Sequence, residues 1–90
     1  MPQGVLVLLN IFVESQKMDE VSQALQKMPQ ITDLYEVTGE CDLVALIKVE
    51  SILAFRELLK NKILKIEGIR STVSAVIVHT HKKEGKLANE

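Results

Sequence analysis

The nine residues Val5 to Val13, V-L-V-L-L-N-I-F-V, set the terms for the rest of the chain. In a strand, successive side chains point to opposite faces. Val5, Val7, Leu9, Ile11 and Val13 then share one face, and Leu6, Leu8, Asn10 and Phe12 share the other. Both faces are largely apolar, which places the strand inside a sheet with cover on both sides. A short apolar run also fits a buried helix; the β-branched content and the polar stretch from Glu14 to Lys17 favour the strand. At 90 residues the chain is one domain's worth, so the elements that cover this strand must be few.

The first of them follows directly. Met18, Val21, Leu25 and Met28 recur at helical spacing while Asp19, Glu20, Gln23 and Lys27 fall elsewhere, which predicts an amphipathic helix from about Gln16 to Met28. Ser15 is its candidate N-cap, and Pro29 ends it. The two methionines read as core filler, with a promiscuous peptide groove as the other use of such residues. Ile31 to Thr38 then reads as a strand with Ile31, Tyr35 and Val37 on one face and Leu34 on the other; Thr32, Asp33 and Glu36 suit an edge position. Leu43 to Val49 is the next strand. The connection between the two, Gly39 to Asp42, is so short that it favours an antiparallel hairpin. Ser51 caps a second helix carrying Ile52, Phe55, Leu59, Ile63 and Ile66, widened by Leu58 and stopped near Glu67 by Gly68. A last strand covers about Ile69 to Thr80, and the charged stretch Lys82 to Glu90 reads as a fraying tail.

Two strand-helix-strand units, Val5 to Thr38 and Leu43 to Thr80, are therefore joined by a hairpin. Right-handed crossovers in each give an α+β ferredoxin-like βαββαβ domain over residues 1–81, a four-stranded antiparallel sheet with both helices on one face. The other face has no cover of its own. Since its strands are aliphatic there too, a second subunit packed sheet to sheet about a two-fold axis is the economical solution.

Composition removes several function classes. The apolar fraction is 47% but aromatics make up only 3% and Trp is absent, so Val, Ile and Leu must build the core around Phe12 and Phe55. With 11 Lys and Arg against 12 Asp and Glu, one subunit lacks the positive charge that independent nucleic-acid binding requires. The lone Cys41 excludes an internal disulfide and fits a reducing, cytoplasmic compartment. Val5 to Leu9 is too short to span a membrane and lacks the basic flank of a secretion signal. No convergent acid, base and nucleophile predict catalysis. His79 and His81 share a strand face, but two ligands are an incomplete metal site, and a solvated or interface pair is the simpler reading. No cofactor is expected. Lys82, Lys83 and Lys86, diluted by Glu84 and Glu90, read as a solvated basic cluster.

Two stretches, V-T-G-E-C-D-L-V from Val37 to Val44 and E-G-I-R-S-T-V-S-A-V-I-V from Glu67 to Val78, together resemble the effector-binding domain of the leucine-responsive regulator (Lrp/AsnC) family. Its T-G-x-x-D-L turn is matched by Thr38, Gly39, Asp42 and Leu43, its helix aromatic by Phe55, and the opening of its last strand by Gly68, Thr72 and Ser74. The resemblance implies two-fold dimers that close into larger rings, with amino-acid effectors held near contacts between dimers. It also implies a stand-alone form without the helix-turn-helix that precedes this domain in the family. Two roles follow from it: a small-molecule, amino-acid-responsive sensor, or a structural adaptor that co-assembles with full-length regulators and has a degenerate pocket.

The resemblance selects Gly39, Glu40, Cys41, Asp42, Thr72 and Ser74 as candidate ligand-binding residues. Gly39 either makes a tight turn or also turns its amides toward a ligand carboxylate. Asp42 either accepts from an amino-acid ammonium or caps the turn's own amides. Thr72 and Ser74, two apart, point the same way and offer hydroxyls to a pocket or an interface, or simply line a solvated face. Ser74 stands where relatives often have Thr. Cys41 replaces an aromatic or bulky residue of many relatives, which alters the pocket's shape.

Overall fold

The computed structural model describes residues 4–87. Four strands, β1 (Val5–Val13), β2 (Ile31–Glu36), β3 (Leu43–Val49) and β4 (Ile69–Ile77), form one sheet in the order β2-β3-β1-β4, with every neighbouring pair antiparallel. Helices α1 (Met18–Gln26) and α2 (Ile52–Leu58) make the crossovers. This is the ferredoxin-like βαββαβ arrangement expected from the two units. Both crossovers lay their helices on the face that carries the odd-numbered residues of β1.

The two periodicities of β1 have different fates. Val7, Leu9 and Ile11 are completely buried and Val13 nearly so, packed with Leu43, Ala45 and Ile47 of β3 and with Val21, Leu25, Phe55, Leu58 and Ile63. Leu6, Leu8, Asn10 and Phe12 are only half-buried. Their neighbours on the open face, by register, are Val44, Leu46 and Lys48 of β3 and Ser71, Val73, Ala75 and Ile77 of β4. The helices thus supply half of the cover that β1 requires.

Local chemistry sets the helix ends, with departures from the pattern read in the sequence. Ser51 caps α2 as expected: its Oγ accepts the Ala54 amide at 3.0 Å. Ser15 does not cap α1. It lies inside a 3-10 turn, Ser15–Lys17, which precedes α1 and has no side-chain cap. The second helix does not run unbroken to Glu67 but widens into a π turn over Leu59–Ile63, closed by the Leu64 amide donating to Leu59 O at 2.8 Å. The reason is the side-chain pattern. Four residues beyond buried Leu58 stands Lys62, whereas Ile63 is five beyond, and one extra residue in the turn brings Ile63 into the core. Ile52, expected on the apolar stripe, is 59% exposed.

Gly68 does more than end a helix. Its φ is +107°, and a Cβ there would lie 2.5 Å from Lys17 Cβ and 2.9 Å from Val21 Cγ2. Its carbonyl accepts the Glu14 amide at 2.9 Å. The absent side chain lets the start of β4 press against the start of the first helix.

The two sheet edges differ. In β2 the register slips between Ile31 and Asp33, a bulge that turns both Ile31 and Leu34 to the helix side and Asp33 and Tyr35 to the open face. Ile31 and Tyr35 therefore do not share a face, contrary to the simple alternation. The other edge, β4, has Arg70 as its only charged residue and leaves Val73 54% and Val76 41% exposed. Beyond it the chain does not simply fray. Lys82–Lys83 (β5) pairs with Lys86–Leu87 (β6) in a small exposed hairpin turning at Glu84 and Gly85, while residues 88–90 of the expected tail lie outside the described residues.

Candidate functional site

The turn between β2 and β3 is built around Asp42. The β1–β3 ladder reaches Ile11↔Leu43, and Asp42 extends it by one residue: its amide donates to Ile11 O at 3.0 Å and its Oδ2 accepts the Val13 amide at 2.7 Å. The Val37 amide donates to Asp42 O at 3.0 Å and closes the loop. Asp42 thereby satisfies backbone donors that would otherwise stand unpaired where β1 outruns β3, a charge-assisted role within the fold. Gly39 takes φ +117° with open space around its Cα. That conformation, strained for a side-chain-bearing residue, carries the loop back over the end of the sheet.

The loop sets Glu40 and Cys41 beside the open face. Together with Asn10, Phe12 and Val73 they line a cleft of about 380 Å³. The half-buried Cys41 thiol stands 3.9 Å from Asn10 Oδ1 as a weak donor. The cleft offers a carboxylate at Glu40, an amide at Asn10 and an apolar wall of Phe12 and Val73. An amide can both donate to a carboxylate and accept from an ammonium, so the lining suits a small ligand with a polar head and an apolar side chain.

Thr72 and Ser74 do not join this cleft. Their register partners are Ile11 and Leu9, whose side chains face the helices; Val73, between them, faces the cleft. Glu40 and Cys41 are thus brought together, Gly39 and Asp42 shape the loop that holds them, and the two hydroxyls lie on the other side of β4. Asn10 was missed as a site residue, although the sequence carries a signal: it is the one polar side chain in a run otherwise apolar on both faces. His79 and His81 stack edge to face with centroids 4.6 Å apart. Among the described residues no three His, Cys, Asp or Glu side chains are grouped to hold a metal ion, and no helix is long and apolar enough to cross a membrane.

The family model of the Lrp/AsnC ligand binding domain matches residues 6–87. The chain belongs to the Lrp/AsnC family. Its domain in this family is a ligand-binding unit, not a catalytic one. Among curated relatives, the HTH-type transcriptional regulator FL11 of Pyrococcus furiosus is 30% identical over 93% of this chain and 55% of its own. The chain thus spans about half the length of the curated relatives it matches. Of solved structures, TTHA0845 from Thermus thermophilus superposes with a TM-score of 0.82 at 23% identity, over 88% of this chain and 99% of that one. The L-Met complex of the transcriptional regulator NMB0573 from Neisseria meningitidis gives 0.87 at 16% identity, over 97% and 58%. At those identities the likeness is one of fold.

Proposed function

We propose that this Lrp/AsnC domain is a small-molecule sensor that binds an amino acid with an apolar side chain in the Asn10–Cys41 cleft and uses the open sheet face to assemble with further copies, in the cytoplasm. The observation that carries the reading is the cleft itself: the family's turn leads into a cavity lined by the Asn10 amide, the Glu40 carboxylate and the apolar side chains of Phe12 and Val73. A related regulator was solved with L-Met, an amino acid of that description. The half-buried side chains of β1, beside exposed Val73, support a second copy as the cover of the open face. Control of transcription would follow if the ligand has different affinities for two assemblies, since only that difference shifts their balance.

The test combines solution mass by light scattering with calorimetric titration of an amino-acid panel that includes methionine. An oligomer that gives saturable heat with one or a few apolar amino acids, lost in Asn10→Val and in Cys41→Phe while the mass stays the same, supports the reading. A stable oligomer silent toward the whole panel favours the adaptor role, in which the domain joins regulators of its own family. A strict monomer overturns the open face as an assembly surface.

A further inference from the structure

The helix side of the molecule divides by charge. From Glu14 to Gln26, through α1, the carboxylates of Glu14, Asp19 and Glu20 stand against Lys17 alone, a net charge of −2. From Ile52 to Ile66, through α2 and its π turn, Arg56, Lys60, Lys62 and Lys65 stand against Glu57 alone, a net charge of +3. All of these except Lys17 are exposed. Little of the charge is answered within the chain: among the described residues the one ion pair runs from Lys17 to Glu67 at 3.8 Å, and Glu57 accepts from the neutral Asn61 amide at 2.8 Å.

Helix dipoles account for part of this arrangement, since acids suit the start of α1 and cations the end of α2. They do not account for the leucines. Leu53, Arg56, Lys60 and Leu64 recur at three, four and four residues, the spacing of one helix face, on the side away from Phe55 and Leu58. Leu53 is 63% and Leu64 49% exposed, and Ile52 next to them is 59% exposed. The outer stripe of α2 therefore carries two cations between two leucines over about 16 Å. Leucines so placed add nothing to the core of their own chain, and grouped with Ile52 they have the makeup of a contact surface.

The surface that fits this stripe by charge is the start of α1, where exposed Asp19 and Glu20 lie next to half-buried Met18. Both surfaces face away from the sheet, so the α2 stripe cannot turn onto the α1 of its own chain. Packing the open sheet faces together leaves them on the outside of the pair. We infer that α2 of one copy docks through Leu53, Arg56, Lys60 and Leu64 on the acidic start of α1 of a further copy, a head-to-tail contact that joins sheet-to-sheet pairs into a larger assembly. The sheet-to-sheet pairing is self-complementary and ends at two copies. Because the two helix surfaces differ, each contact leaves one of either kind free for the next copy until rotation closes the series. Opposite charge sets the register of this contact and the leucines supply its apolar part. The inference rests on the sheet-to-sheet pairing only for the mass at which a broken assembly stops.

Light scattering of the full chain tests it, with two charge reversals, Arg56→Glu/Lys60→Glu and Asp19→Lys/Glu20→Lys. At low ionic strength the wild type should exceed the mass of a dimer. In about 1 M salt, where the Debye length is about 3 Å, that mass should fall toward the dimer. Either reversal alone should run as a dimer with the circular dichroism of the wild type. Co-expressed, the two reversals should recover the larger mass, because each then carries the charge that the other lacks; misfolded variants would not recover it. Val73→Lys, on the open face, attacks the pairing instead and should take either reversal from dimer to monomer. A wild type no larger than a dimer at low salt overturns the inference and leaves the sheet-to-sheet pairing standing. It is also overturned if either reversal keeps the wild-type mass or if the co-expressed pair stays dimeric.

Discussion

The two faces of β1 are built from similar residues and end up in different environments. On the helix side Val7, Leu9 and Ile11 lose all contact with solvent; on the open side Leu6, Leu8 and Phe12 remain half-buried and surround one polar residue, Asn10. Apolar content is therefore not what separates them. The helix side is completed within one chain by α1 and α2, whereas the open side carries the Asn10–Cys41 cleft and the half-exposed aliphatics that suit an intermolecular role. A strand apolar on both faces, in a chain with helices for only one of them, divides its work between folding and association.

That division predicts unequal consequences for equal substitutions. Leu9→Ala should cost about 2–5 kcal/mol in urea unfolding, as large-to-small changes in packed cores do. Leu8→Ala, one residue away, should cost less than about 2 kcal/mol, because its side chain has less surface to lose from burial. Equal losses would erase the distinction between the faces. Gly68→Ala should cost about 1–3 kcal/mol, since it adds a strained positive φ to a collision with Lys17 and Val21; no loss in thermal unfolding would mean that the close approach of β4 to the first helix is dispensable. Asp42→Ala removes the acceptor of the Val13 amide and should destabilise the monomer by about 1–3 kcal/mol. If stability is unchanged and only ligand heat disappears, Asp42 serves a ligand more than it serves the fold.

Smaller effects sharpen the picture on the open side. Val73→Lys should leave unfolding within about 0.5 kcal/mol, as expected at an exposed site, while lowering the mass seen by light scattering; a normal mass would exclude β4's open face from the assembly. Tyr35, the only tyrosine, should release its proton above the ordinary phenol value of 10.0, because the Asp33 carboxylate opposes a nearby phenolate and accepts the phenol's hydrogen bond, with Glu84 adding to the effect. Its ultraviolet titration should shift back toward the ordinary value in Asp33→Asn. The sign follows from the raised value: the stabilising contact is present below the unfolded phenol's range and is lost as pH rises through the folded one.

The sequence disclosed the sheet because its signals are local and periodic. Alternation in Val5 to Val13, the Pro29 and Gly68 stops and the short Gly39 to Asp42 connection together allow few topologies. The features it concealed depend on tertiary bookkeeping. The bulge in β2 arises because Ile31 and Leu34, an odd interval apart, both need the core. The π turn arises because Ile63 stands one residue too far from Leu58 for an α-helix. At the candidate site, the turn and Cys41 were legible, but the side of β4 on which Thr72 and Ser74 lie follows from their pairing with Ile11 and Leu9, which no local pattern reveals. Asn10 was visible as an interruption of an apolar run; its place in the cleft required the loop to close over it.

The exposed edge of β4 has a consequence for the protein outside its native assembly. β2 carries a bulge and acidic side chains that discourage a passing strand; β4 has a register shift only at its start, where Phe12 and Val13 pair with Ser71 and Ile69, and from Ser71 to Ile77 it runs on without charge, proline or glycine. Such an edge is a template on which another extended chain can hydrogen-bond. With the sequence V-S-A-V-I between Val73 and Ile77, rich in β-branched residues and without charge, it is also where amyloid-like misassembly would begin in a destabilised variant. A native partner on this side of the sheet would act as a gatekeeper against precipitation.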